Sequence, residues 1–170
     1  GSMLGGTLFS KPENNKISSL TSSMLDKGTQ KKTKYEISDE LESIGAEISF
    51  ISSSRHINFT AHCLKSDLES VIALIAEQLK HPVFPDEELD LLKKRITSNL
   101  EISKDDTKKQ ALIGFLREIY PEQHYNYRST IEESIKYIET ISSDDLKKFH
   151  EKVYGLGTLN IAVSGDIDND

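Results

Sequence analysis

Ala46-Glu47-Ile48-Ser49-Phe50-Ile51-Ser52, followed after Ser53-Ser54-Arg55 by His56-Ile57-Asn58-Phe59-Thr60-Ala61-His62-Cys63, is the stretch on which the fold reading turns. Ala46, Ile48 and Phe50 alternate with Glu47, Ser49 and Ile51, and Ile57, Phe59, Ala61 and Cys63 alternate with Asn58, Thr60 and His62. Side chains of an extended chain point to opposite faces in turn, so each run offers one apolar and one polar face. Two such strands joined by a short polar turn predict an antiparallel hairpin.

Upstream of the hairpin the period changes to that of helices. Ile17, Leu20, Met24 and Leu25 recur at three and four, with Gly28-Thr29 as a stop, and the opposite face, nearly all serine and threonine, is expected in solvent. Ile37, Leu41 and Ile44 form a second stripe that ends at Gly45, a candidate left-handed residue. Leu4 to Phe9 reads as the tail of a strand, and Ser10 to Asn15 as a loop. Downstream, Leu64, Leu68, Val71, Ile72, Ile75 and Leu79 predict a buried helical stripe over 65–80 with Ser66 as its cap, ended by Pro82. Pro85-Asp86 opens a helix carrying Leu89, Leu92, Ile96 and Leu100, and Asp105-Asp106-Thr107 separates it from one carrying Ala111, Leu112, Phe115, Leu116 and Ile119. After a polar loop over 121–130, two short helices are expected over 131–141 and 142–153, then a strand through Leu159, Ile161 and Val163 ending at Gly165. Strands and helices mix without regular alternation, which makes the class α+β: a mainly antiparallel sheet with helices packed on it.

The chain has 170 residues, 36% apolar, enough for one ordinary core. Its formal charge of -7 provides no basic field for a polyanion, so no nucleic-acid partner is expected. Apolar runs fall short of the roughly 18 to 20 residues that span a bilayer, and no membrane partner is expected either. The lone Cys63 excludes an internal disulfide and a Cys-based zinc cluster. Gly1 and Ser2 ahead of Met3 look like an expression scar, leaving a single domain over 4–168 of a longer protein and the start of a linker at 169–170.

Local chemistry is sparse. The five histidines, His56, His62, His81, His124 and His150, show no three- or four-residue spacing, and surface or turn positions are expected for them. Asp166, Asp168 and Asp170 match only the start of a calcium loop and read as strand-exit aspartates. Asn58-Phe59-Thr60 fits a glycosylation triplet but lies within a strand. No nucleophile elbow occurs, and Cys63 faces the apolar side of its strand. Glu101 stands out beside the apolar stripe at Leu100, where a carboxylate needs either a partner or an outward lean.

Four stretches read together carry a resemblance. Met24-Leu25-Asp26-Lys27-Gly28-Thr29, Ser38-Asp39-Glu40-Leu41-Glu42-Ser43-Ile44-Gly45-Ala46, Leu79-Lys80-His81-Pro82-Val83-Phe84-Pro85-Asp86-Glu87-Glu88-Leu89 and Val163-Ser164-Gly165-Asp166-Ile167 together resemble, in order, the metallohydrolase domain of the pitrilysin or insulinase family of zinc peptidases. In that family an H-x-x-E-H motif precedes the Met-Leu-x-x-Gly-Thr stretch, its histidines binding zinc and its glutamate serving as general base, while a downstream glutamate completes the site. The resemblance places the motif at 19–23, where Ser19, Ser22 and Ser23 stand for the two histidines and the base, and puts the remaining ligand position at or near Glu101. One carboxylate and neutral hydroxyls do not replace two imidazoles around zinc, so no catalytic residue and no cofactor is expected in this fragment.

The resemblance therefore implies a non-catalytic half. Family members are built from two similar halves, on one chain or on two subunits, and the zinc is expected in the partner half. This domain would help to enclose peptide substrates, partnered by the remaining domains of the parent protein and a zinc-bearing homologous half or subunit. A peptide adds to an edge strand in the active half. The corresponding residues here are Ala46, Glu47, Ile48, Ser49, Phe50, Ile51 and Ser52. The alternative implication is a scaffold or assembly protein of the same fold with no peptidase role.

Overall fold

A computed structural model describes residues 1–10 and 16–166. Most of the loop over 10–15, Asp168 and Asp170 of the carboxylate tail, and the linker start at 169–170 lie outside the described residues. The elements run β1 (Ser2–Leu4), α1 (Ile17–Ser23), α2 (Lys34–Ser43), β2 (Glu47–Ser52), β3 (His56–His62), α3 (Leu68–Lys80), α4 (Asp86–Ile102), α5 (Thr107–Ile119), α6 (Ile131–Thr140) and α7 (Ser143–Val153). The sheet has the order β1-β3-β2, all antiparallel, so β3 is central and β2 lies at an edge. This is the α+β class expected, with the hairpin where the alternation put it.

Register explains the hairpin. Phe50 opposes Phe59, their rings 6.2 Å apart on the core face, and on the outer face Ser49 Oγ and Thr60 Oγ1 share a hydrogen bond of 2.7 Å. The Ser53 amide donates to the His56 carbonyl at 2.8 Å and closes the turn. Met3, Ile57, Phe59, Leu20, Met24, Leu25, Val71, Leu79 and Leu146 meet in one core under the sheet.

The stretches that carry the resemblance interlock. Gly28 takes φ 142, and a Cβ there would stand 3.2 Å from Val83 Cγ2. Val83 donates its amide to the Gly28 carbonyl, Gln30 donates to the His81 carbonyl, and Thr29 Oγ1 donates to Glu77 on α3. Gly45 takes φ 60 past the end of α2, as its position predicts. Thr33, Thr130 and Ser142 each form a reciprocal capping box with the acid three residues on.

Five expectations are corrected. The Ser/Thr face of α1 is not in solvent: Ser18, Thr21 and Ser22 are buried, because α1 runs between β2 and α7 and only small side chains allow that approach. The strand expected through Leu159, Ile161 and Val163 does not form: among the described residues its one ladder contact is Asn160 with Ser2, and Ile161 and Val163 are exposed. In the third helix Ser66 does not cap; its hydroxyl bonds Asp67, α3 starts at Leu68, and Leu64 and Ile72 stay outside the core. His150 is buried rather than superficial, its Nε2 2.8 Å from the Leu79 carbonyl. The stretch Leu4 to Phe9 is not the tail of a strand: the first strand is Ser2–Leu4, with Met3 a core residue at 1% exposure, and Thr7–Phe9 is a 3-10 turn.

Candidate functional site

The positions marked by the resemblance lie on α1 and around it. Ile17, Leu20 and the following Met24 and Leu25 face the core, which fixes the opposite side of this two-turn helix against β2 and α7. Ser19 Oγ donates to the Lys16 carbonyl at 2.9 Å, Thr21 Oγ1 to the Ile17 carbonyl at 2.8 Å and Ser22 Oγ to the Ser19 carbonyl at 3.0 Å. These hydroxyls spend their protons on the preceding turn, a habit of Ser and Thr within helices. Ser23 is half-buried at the last helical position. None of these groups is a cation ligand of the kind zinc selects, since a neutral hydroxyl is a poor donor beside imidazole or thiolate.

Glu101 sits in the final turn of α4 and leans outward. Its carboxylate pairs with Lys104 Nζ at 2.7 Å, and Lys104 also reaches Glu132 at 3.5 Å. The Glu101 partner is the first cause that raises the Lys104 pKa. α4 packs along α6, whereas α1 packs on α7 and β2. The structure therefore gives Glu101 a surface ion pair and gives Ser19 and Ser22 backbone partners. Among the described residues no group of three or more His, Cys, Asp or Glu is placed to hold a metal ion.

The edge strand has a defined polarity. Glu47, Ser49 and Ile51 oppose His62, Thr60 and Asn58, and the Ser53–His56 bond fixes the hydrogen-bonded parity of the ladder. It follows that Ile48, Phe50 and Ser52 turn their backbone N–H and C=O groups toward the outer edge. Ala46 stands just before the strand, buried, with its amide donated to the Leu41 carbonyl at 2.9 Å. Ser18 Oγ and Ser52 Oγ lie 2.6 Å apart, so the helix that bears the motif positions is bonded to the end of this edge. Sequence reasoning did not find that pair; two serines 34 apart give no periodic signal.

Beside this region is a buried polar group of another kind. His150 packs against Phe84, itself at φ 50, and against Tyr154, with ring centroids 5.7 and 4.5 Å away. Burial pushes the His150 pKa below its usual value, against the Leu79 carbonyl and Glu151, which raise it, and with His81, which lowers it further.

Known proteins align with this architecture. The model of the insulinase (peptidase family M16) family matches residues 4–132. A zinc protease of Rickettsia felis is 22% identical over 165 residues, 97% of this chain and 40% of that protein. The alpha-1 subunit of the mitochondrial-processing peptidase of Dictyostelium discoideum is 33% identical over 84 residues, 49% of this chain and 13% of that protein. Among solved structures, a peptidase M16 inactive domain from Pseudomonas fluorescens superposes with a TM-score of 0.78 at 23% identity, covering 92% of this chain and 38% of that one. The first half of the periplasmic protease PqqL of Escherichia coli gives 0.77 at 18% identity, covering 99% and 37%. The structural likenesses speak for the fold, and the chain spans about 40% of the length of the zinc proteases it matches. Zinc thus belongs to the relatives, and the matched residues take in the Gly28–Val83 interlock, the hairpin and α4 alike. The chain belongs to the insulinase (peptidase family M16) family.

Proposed function

We propose that this chain is the non-catalytic domain of a bipartite zinc endopeptidase, helping to enclose peptide substrates while zinc lies in another half or subunit. The observation that carries this reading is the state of α1: the positions assigned to the two zinc histidines and the base are Ser19, Ser23 and Ser22, and the hydroxyls of Ser19 and Ser22 are donated to backbone carbonyls. Glu101, the remaining ligand position, is held by Lys104 at the surface. The likeness to an M16 inactive domain and to the first half of a periplasmic protease supports the same reading.

In this account the domain contributes a chamber wall, and β2 is the surface on it that takes substrate. An extended peptide pairs with the outward main-chain groups of Ile48, Phe50 and Ser52, which confers affinity with little sequence demand. The Glu47, Ser49 and Ile51 groups are already committed to β3. A peptide N-methylated at alternate residues distinguishes the two registers: methylation of the amides that face β2 abolishes binding to the complete protein, and the complementary methylation leaves it intact. Equal binding of both peptides overturns the edge assignment. For the domain as a whole, the parent protein is assayed for oligopeptide hydrolysis with and without residues 4–168. Loss of hydrolysis with zinc retained elsewhere is the expected result; absence of zinc and hydrolysis from every preparation assigns the protein to the scaffold alternative.

A further inference from the structure

Main-chain pairing at β2 explains affinity for an extended peptide, but the edge is not uniform along its length. Glu47, Ser49 and Ile51 put their side chains on the solvent face, and all three are exposed. Each has a cross-strand neighbour on one side only, namely His62, Thr60 and Asn58 of β3. No strand flanks β2 on its outer side among the described residues.

The three positions offer different chemistry. Ile51 is 64% exposed, an apolar side chain with only Asn58 opposite it. The Ser49 hydroxyl is taken up by Thr60 Oγ1 at 2.7 Å. The Glu47 carboxylate has no cation partner among the described residues. It also stands where α2 ends, for Gly45 donates its amide to the Glu42 carbonyl at 3.2 Å and Ala46 donates to the Leu41 carbonyl at 2.9 Å as the chain turns into β2. The last turn of α2 carries Glu42 and no basic residue, so the negative end of the helix dipole adds to the two exposed carboxylates. One end of the edge is therefore apolar and the other electronegative, roughly 13 Å apart along the strand.

On the reading that peptides dock at β2, we propose that the edge selects extended segments in which an apolar residue is followed four positions later by lysine or arginine. Antiparallel pairing is the more stable kind per residue, and an antiparallel segment runs from Ile51 toward Glu47. Ile48, Phe50 and Ser52 supply the hydrogen-bonded pairs. The segment's residues opposite Ile51, Ser49 and Glu47 therefore form pairs of the other kind, with Cα atoms roughly 4.5 Å apart and side chains at their closest. The apolar residue covers Ile51, and the cationic one reaches Glu47 and the end of α2. The residue between them meets a Ser49 hydroxyl that is already bonded, so it is free to vary. Opposite charges placed side by side across strands attract and like charges repel, which makes the Glu47 position the stronger discriminator.

The test measures binding of three blocked heptapeptides to the complete protein: acetyl-Thr-Val-Thr-Thr-Thr-Lys-Thr-amide, the same peptide with Glu in place of Lys, and the reversed sequence acetyl-Thr-Lys-Thr-Thr-Thr-Val-Thr-amide. The first is expected to bind roughly fivefold tighter than the second at low ionic strength, with the difference shrinking as salt is added. Glu47→Lys is expected to invert that order, and Ile51→Thr to weaken the first peptide while leaving its advantage over the second. Equal binding of the first two, or a preference that Glu47→Lys leaves unchanged, overturns the proposal. Binding of the reversed peptide as tight as the first overturns the antiparallel order. The N-methylated peptides separate these failures from failure of docking itself. Loss of binding on methylation of the amides that face β2, without a charge preference, keeps the edge and refutes the selection; equal binding of both methylated forms removes the edge on which the selection depends.

Discussion

Helices α1 and α5 reverse what their compositions suggest. α1 is mostly hydroxyl side chains and is buried on nearly every side; α5 carries an apolar stripe, yet Leu112, Phe115 and Ile119 are 54%, 60% and 53% exposed and none of its residues is buried. Burial is decided by what packs across from a helix, not by hydropathy alone. α1 is inserted between the edge strand and α7, where the hydroxyls of Ser19, Thr21 and Ser22 donate to carbonyls of the preceding turn and that of Ser18 bonds Ser52. A buried polar group costs little when it is bonded, and that is how a helix of serines serves as a core element.

The difference between the two helices leads to a graded series of expectations. Leu20→Ala on α1 is expected to cost about 2–5 kcal/mol, as for other fully buried leucines, read from chemical denaturation midpoints. Ser18→Val separates polar from apolar burial: it removes the Ser18–Ser52 bond, leaves the half-buried Ser52 hydroxyl only the Ser53 carbonyl at 3.3 Å, and is expected to cost about 1 kcal/mol despite the gain in hydrophobicity. A stabilised variant would show that the Ser18–Ser52 bond contributes nothing. Gln78 on α3 offers the counter-case, for its side chain is fully buried with neither amide atom bonded to protein, and Gln78→Met is expected to raise stability by roughly 1 kcal/mol.

His150 adds a pH dependence of known sign. Its folded pKa lies below the usual value of 6.5, so the folded state prefers the neutral ring and the unfolded state binds the proton more readily. Stability is full above that usual value and declines as pH falls below it. Denaturation between pH 7.5 and 5.5 reads this decline, and His150→Gln, which keeps a donor for the Leu79 carbonyl, flattens it; an unchanged slope assigns the effect elsewhere. The smallest effect belongs to α5, where Phe115→Ser is expected to change stability by no more than about 0.5 kcal/mol in this chain. A large loss there would make α5 a core helix after all.

Legibility in the sequence followed the same division. The hairpin was plain because period-two alternation records which face is buried, and Gly28, Gly45 and Pro82 marked their breaks because backbone geometry leaves few alternatives at such positions. The burial of Ser18, Thr21 and Ser22 was not legible, since hydroxyl side chains satisfied by their own helix carry no apolar signature. His150 escaped for a related reason: its partner is a main-chain carbonyl 71 residues away. The alternation of Leu159, Ile161 and Val163 suggested a strand that does not form, because a ladder needs a neighbour and among the described residues only Ser2 pairs there, with Asn160. Of the candidate site, the resemblance assigned Ser19, Ser22 and Ser23 to motif positions that fall on α1, while the outward lean of Glu101 and the bond from α1 to the edge strand emerged only in three dimensions.

The most direct test of the central claim is metal analysis of this chain after dialysis against zinc, beside its Glu101→Ala variant. The account predicts no stoichiometric zinc in either, with Glu101 engaged by Lys104 and the hydroxyls of Ser19 and Ser22 by main-chain carbonyls. One equivalent of zinc in the unaltered chain, lost on Glu101→Ala, would contradict it.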